Sequence, residues 1–529
     1  MRETTQMKNG TRRWLMVALV SAALLAACGD SSEDGDASSN TTASNTTASN
    51  TTASNTTASN TTASNTTASN TTVDDGATYN FESRFEAGAN SVSYDGQTAR
   101  HVLLVDLKSY VGGLGDSIDR GDFMPADGDV VAALDFYFRF DSDAYGEEAH
   151  LVSTEPGALQ ETYNDVSTGK DLVGKLAGND TSTDHVDWST EFSGWSDESI
   201  AAYGGSIDSP EGLALAFFET LEENAIGRSD GVVRSGPDGE QLPVYVTDAG
   251  QDLNQLIQKF LTVAIAFHQG TDDYLDDDVD GKGLKADHAA AVEGKPYTAL
   301  EHAWDEGFGY FGAARDYAAY TDDEIAAAGG RDEYASGYHD TNGDGAIDLL
   351  SEYNFGHAVN AAKRDRGSNA ATDMTAQAFE AFRAGRALLA ATDGPLDAAQ
   401  VTELEGYRDQ AVLAWEEAIA ATVVHYINDT LQEMEKFGTD DYSFAEHAKV
   451  WSEMKGFALG FQFNPRSPVS DEDFTALHAL LRDAPVLSDA DSAEIDAYRS
   501  DLVAARDILR DAYGFDSSNM GDDKGEGGW

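Results

Sequence analysis

From Asp397 to Phe437 the chain contains no proline, and no glycine after Gly406. Nothing there breaks a single helix of about eleven turns. A helix of that length buries its apolar side only if other helices flank it.

The surrounding pattern is helical from Ser209 onward. In SPEGLALAFFETLEENAIG a serine stands at the capping position, proline follows at the first helical position, and glycine closes the run. The stretch TDAGQDLNQLIQKFLTVAIAFHQGTDDYL carries Leu253, Leu256, Ile257, Phe260, Leu261, Ala264 and Phe267 on one helical face. Thr321 with Glu324, Ser443 with Glu446 and Ser470 with Asp473 each pair a hydroxyl with a carboxylate three residues on, which marks a helix start. A fourth start falls at Thr372 or Asp373. Nearer the N-terminus, an Asp95–Gly96 turn followed by Leu103, Leu104, Leu107 and Val111 predicts a helix from about Gln97 to Val111. Residues 141–208, rich in Gly, Ser, Thr and Asp, read as long loops with a short strand or two. The expected fold is mainly α: an antiparallel helical bundle, or two packed bundles, with long acidic loops and little β.

The N-terminal end carries Lys8, Arg12 and Arg13, then an apolar run from Trp14 to Ala27, then Cys28, the only cysteine. This order is that of a signal peptide over residues 1–27, too short in its apolar part for a permanent membrane span. Leu25, Ala26, Ala27 and Cys28 resemble a bacterial lipobox, which implies that Cys28 is acylated and that the chain is anchored to a membrane. With Cys28 so used, neither a disulfide nor cysteine catalysis is open to the chain. Residues 28–75 form the anchor and a tether of NTTAS repeats, which have no apolar surface to bury. The helical domain is expected over 76–516, with a sub-boundary near 227–247, and the acidic, glycine-rich stretch 517–529 as a disordered tail. About 450 residues are more than one core usually serves, so two or three packed units are expected.

A formal net charge of −60 repels nucleic acid and attracts cations. Nucleic-acid binding is therefore set aside. The even spread of Asp and Glu, with lysine scarce, favours a halophilic setting, in which salt screens self-repulsion, over the alternative, a surface that binds divalent ions.

Two acidic loops have calcium-ligand spacing. In DTNGDGAIDLLSE, residues Asp340, Asn342, Asp344, Gly345, Ala346 and Asp348 fit positions one, three, five, six, seven and nine of an EF-hand loop, with Ala346 offering its carbonyl. The closing carboxylate falls one residue late, at Glu352, before an apolar stretch expected to be helical. In DDDVDGKGLKAD the corresponding oxygens are those of Asp276, Asp278, Asp280 and Asp287. The predicted cofactor is structural calcium. An iron or zinc site is a further possibility at His302, which can meet Asp305 or Glu306 on one helical face, with His357, His447 and Glu453 on other helices; His425 and Glu417 are also available. No HExxH motif occurs. GRSDG follows a helix where a nucleophile elbow needs a strand, and GKDLVGKL has Leu176 where a phosphate loop needs a hydroxyl.

At GQTARHVLLVDLKSYV, EHAWDEGFGYFG, DTNGDGAIDLLSEYNFGHAVNAAKRD and HAKVWSEMKGFALGFQFNP the chain resembles a family of bacterial lipoproteins defined by a domain of unknown function. The resemblance spans roughly Tyr79 to Asp516. It implies association with imelysin-type, iron-regulated envelope proteins and outer-membrane receptors, and so a part in iron acquisition or handling. Imelysins carry a GxHxxE motif; here His302 has Asp305 at the third position and Glu306 at the fourth, with no glycine two residues before it. The expected function is that of a lipid-anchored, non-enzymatic protein of the cell envelope, at the outer membrane, with calcium loops and a role in metal handling through a ligand or partner. Two alternatives stay open: a metal-dependent hydrolase of imelysin-like type, and a calcium-stabilised surface adhesin.

Overall fold

The structure, a computed structural model, describes residues 78–181, 183–197, 200 and 207–529. The signal segment, Cys28 and the NTTAS tether lie outside them. The longer helices are α1 (Asp95–Asp119), α2 (Asp129–Phe138), α3 (Pro210–Ser229), α4 (Leu253–Leu261), α5 (Ala299–Phe311), α6 (Gly356–Arg366), α7 (Met374–Ala391), α8 (Ala398–Glu435), α9 (Phe444–Ala458), α10 (Asp471–Leu481) and α11 (Ser492–Tyr513).

The protein is mainly helical, as the periodicity predicts. Helix α8 is the unbroken one, and it starts at Asp397, whose carboxylate accepts from the N–H groups of Ala399 and Gln400 while the Gln400 side chain accepts in return. The hydroxyl–carboxylate pairs also act as read. Thr321 and Glu324 form a reciprocal cap, and Ser443 and Ser470 each accept from the N–H three residues on. At the fourth start the cap is Asp373. Helix α1 runs longer at both ends than the predicted Gln97–Val111.

Helix α8 lies against α7, α9, α6 and α11, while α9 also packs on α4, and α4 on α1 and α3. One hydrophobic cluster runs through this arrangement from Tyr79 to Trp529. A smaller one is formed by Leu242, Val246, Tyr442, Phe444 and Ala448. No helix among the described residues is long and apolar enough to cross a membrane.

Among the described residues, the short strands expected early in the chain are not formed. Among the described residues pairing is limited to isolated bridges such as Glu82 with Asn90 and Ala149 with Thr162. Side chains take up the backbone groups there instead. Buried Asp106 on α1 accepts from the Leu151 N–H at 3.0 Å and the Tyr163 hydroxyl at 2.6 Å, and His150 bonds the Gln160 carbonyl at 2.8 Å.

The C-terminal stretch differs most from expectation. Far from a disordered tail, it folds back so that Trp529 is only 5 % exposed, with its ring 4.8 Å from that of Phe515. The indole N–H donates to the Arg364 carbonyl at 3.0 Å, and the Asn428 amide donates to the Trp529 carbonyl at 3.1 Å. Composition misleads because one terminal tryptophan supplies the apolar area that the other residues lack. Trp529→Ala is expected to cost about 3 kcal/mol in denaturant unfolding, as for other buried aromatics. A tail that packed against nothing would change stability by less than about 0.5 kcal/mol.

Candidate metal centre

The apolar run that begins α4 does not end as an α-helix. After Leu261 the backbone widens into π-helical turns over Thr262–Phe267 and Gln269–Tyr274. The Thr262 and Thr271 hydroxyls donate to the carbonyls four residues back, at 2.7 and 2.8 Å, a contact that loosens the regular ladder. Gly270 is required here because a Cβ would stand 2.6 Å from the Trp415 ring. Turns of this kind recur at functional sites.

This stretch is buried on every side, its polar residues included: His268, Gln269 and Thr271 are fully buried and Asp272 is 1 % exposed. His268 and Asp272 stand four residues apart, and Asp184 reaches them from the loop between α2 and α3. His268 Nε2 lies 3.0 Å from Asp184 Oδ1 and 3.4 Å from Asp272 Oδ2. These three donors form one of two His/Asp/Glu groups among the described residues that converge closely enough to share an ion.

The orientation of the donors is informative. Despite their proximity, His268 Nε2 and Asp184 Oδ1 are buried atoms that form no aligned hydrogen bond. Both atoms are enclosed and neither has another hydrogen-bond partner, so a cation entering between them would meet a nitrogen and an oxygen with no competing donor. Ligands held at 2.0–2.2 Å from one tetrahedral ion stand roughly 3.3–3.6 Å apart; the 3.4 Å spacing falls in that range and the 3.0 Å spacing is slightly shorter. An imidazole with two carboxylates suits zinc or iron better than calcium, which takes oxygen ligands.

His185 supplies the outer support. Its Nδ1 is 2.8 Å from Asp272 Oδ2, to which its backbone N–H also donates at 3.2 Å, and its side chain is 22 % exposed. The Gly178 N–H donates to the other oxygen of Asp184 at 3.2 Å. Such partners fix the direction of a ligand and tune its basicity. Burial disfavours the His268 cation, yet Asp184 and Asp272 outweigh it and push its pKa up to about 9. Burial likewise disfavours ionised Asp272, and the two histidines overcome that, holding it below the usual carboxylate range. A metal entering this site therefore displaces a proton from His268.

The residues singled out from sequence are placed elsewhere. His302 Nδ1 meets the Ser93 carbonyl at 3.0 Å, its ring stacks on Tyr297, and its Nε2 is 3.8 Å from Glu306. Asp305 turns away to buried Arg386 at 2.9 Å and the Tyr79 hydroxyl at 2.9 Å. His357 is buried among Phe267, Trp415 and Phe457, where burial brings its pKa down to about 3. His447, brought down equally by burial, meets the Tyr442 hydroxyl at 3.2 Å. Glu453 lies 3.2 Å from Lys259, and His425 3.2 Å from Asp429. None of these histidines joins a three-donor cluster among the described residues.

The acidic loops are intact as loops. Asp340 gathers the N–H groups of Gly343, Asp344 and Gly345, Asn342 takes that of Asp344, and Asp344 that of Ala346. Asp348 turns to Gln160 and Ser351. The expected helix after the loop is replaced by turns up to Gly356. Glu352 reaches back to accept from the N–H groups of Thr341, Asn342 and Asp348. In the second loop Asp276, Asp277 and Asp278 converge, but Arg466 is 2.8 Å from Asp276 and Arg408 is 3.3 Å from Asp277, which supplies the positive charge already. Asp280 is fully exposed beside Lys285, and Asp287 is exposed.

His268 was missed because the periodicity of this run marks its apolar face and says nothing of what its polar residues meet. The signal was the pairing of His268 with Asp272 inside a run too apolar to have a solvated face. No curated protein and no solved structure matches the chain. Residues 211–477, just over half of it and including His268 and Asp272 but not Asp184 and His185, match the family described as Domain of unknown function (DUF4856). The chain belongs to that family.

Proposed function

We propose that this is a lipid-anchored, non-enzymatic protein of the cell envelope that handles a divalent first-row transition metal, iron or zinc, held by Asp184, His268 and Asp272. The observation that carries the reading is the convergence of three donors, with His268 Nε2 and Asp184 Oδ1 buried and bonded to nothing outside the cluster. The anchor is Cys28, and the outer membrane is the proposed location. The resemblance to lipoproteins associated with imelysins supplies the proposed partners, an imelysin-type protein or an outer-membrane receptor. Calorimetric titration of chelator-treated protein with zinc should give one tight site per chain and release of a proton near pH 7. Absence of any saturable site removes the reading.

The loop at Asp340, Asn342, Asp344 and Glu352 is proposed as a structural calcium site. Extracytoplasmic loops of this type hold calcium at about 10⁻⁴–10⁻³ M. At 10 mM calcium the protein should therefore gain roughly 1.4–2.7 kcal/mol over its calcium-free form. An unchanged unfolding midpoint between chelator and calcium contradicts this part.

A second reading, the metal-dependent hydrolase, is favoured by one feature of the same cluster. It offers three protein donors, and a three-ligand zinc site keeps a position for water.

A further inference from the structure

Resting on the metal-binding reading, we infer that the cation is a latch: it fastens the segment 183–197 onto the π-helical end of α4, so that metal loading is read out as closure of that segment. His268 and Asp272 both belong to the buried helix, while Asp184 is carried by the segment. A cation bound to all three therefore cross-links two parts of the chain that are separated by more than eighty positions.

The other ties of the segment are isolated side-chain contacts, the nearest to the site being His185, whose Nδ1 lies 2.8 Å from Asp272 Oδ2. The segment contains no helix or strand. Its backbone meets the bundle through side chains, with Ser193 paired to the Gln462 amide and Ser196 to the Asp483 carboxylate. Three rings pin it: Trp188 against Phe463 at 5.0 Å, Phe192 against Phe260 at 6.0 Å and Trp195 against Phe217 at 5.2 Å. Both tryptophans bury an indole N–H that has no hydrogen-bond partner, a cost that closure has to offset. At the site itself, closing brings the Asp184 carboxylate onto a helix that already presents Asp272, so two buried carboxylates converge on one imidazole. A divalent cation at their centre is attracted by both carboxylates, more strongly than a singly charged side chain can be. Closure and cation binding therefore favour one another, and by linkage each strengthens the other.

The test uses the full chain with zinc as the only added ligand. Chymotrypsin cleavage after Trp188, Phe192 and Trp195 requires the segment to open. If the open form does not bind zinc, free zinc at 100 times the measured Kd should slow those cuts about 100-fold. Cleavage at exposed Phe85 should be unchanged. Hydrogen exchange of residues 183–197 should slow in parallel, and this needs no substitution. Asp184→Asn should keep a weaker zinc site on α4 while losing the protection. Zinc that binds with one-site stoichiometry yet changes cleavage and exchange in 183–197 less than twofold overturns the latch and leaves the metal site standing. Failure of zinc to bind removes both.

Discussion

Replacing His268 by alanine is expected to lower zinc affinity by at least about 100-fold, more than any other single change at the site. His268 supplies the only ring nitrogen among the three converging donors, and an Ala side chain offers nothing in its place. His185→Asn sets the scale for comparison. That residue steadies Asp272 from outside, 2.8 Å away, and losing an outer partner of a metal ligand typically costs 10–100-fold. The two variants should therefore rank His185→Asn above His268→Ala in affinity. The His268 variant also loses stability in the absence of metal, because Asp184 and Asp272 are left facing each other with no cation between them. Affinity has to be measured on protein shown by circular dichroism to be folded. Equal affinities for wild type and His268→Ala would place the metal elsewhere.

The largest loss of stability is expected from Arg386→Ala, about 3–5 kcal/mol, the range seen when one partner of a buried ion pair is removed. Arg386 is fully buried on α7 and meets two carboxylates of α5, Asp305 at 2.9 Å and Glu301 at 3.3 Å. Its remaining nitrogen donates to the Ser91 hydroxyl at 2.6 Å, and its guanidinium lies over the Phe81 ring. Asp305 in turn accepts from the Tyr79 hydroxyl and the Ser93 N–H. The arginine thus joins α5 and α7 to residues 79–93. Alanine leaves Asp305 buried without its cation, while Glu301 keeps Arg84 at 3.6 Å. Urea unfolding monitored by tryptophan fluorescence measures the effect, and a change below about 1 kcal/mol would show that the network relaxes at little cost.

What could be read in the sequence was whatever depends on local order. The long α8 followed from the lack of breakers between Asp397 and Phe437. The starts at Thr321, Ser443 and Ser470 followed from cap chemistry, which acts across three residues. The cluster of Asp184, His268 and Asp272 was not legible for two reasons. Its donors come from a loop and a helix far apart in the chain, which only tertiary packing brings together. Periodicity also says nothing of what the polar residues of a helix meet, and the end of α4 is enclosed on all sides, so that its polar residues are internal. The opposite error affected His302 and Asp305, where correct helical spacing suggested a shared ligand. Spacing places two Cβ atoms on a common face without fixing their rotamers, and buried Arg386 claims Asp305 first. The C-terminal segment repeats the lesson at the level of composition, since the single Trp529 outweighs the acidic and glycine residues before it.

The claim on which the account depends is that Asp184, His268 and Asp272 hold one ion. X-ray absorption at the zinc edge of protein loaded with one equivalent measures this directly. The account predicts a first shell of nitrogen and oxygen at about 2.0–2.2 Å, with the imidazole scattering lost in His268→Ala. An imidazole signal that survives that substitution, or a shell of water oxygens alone, would contradict it.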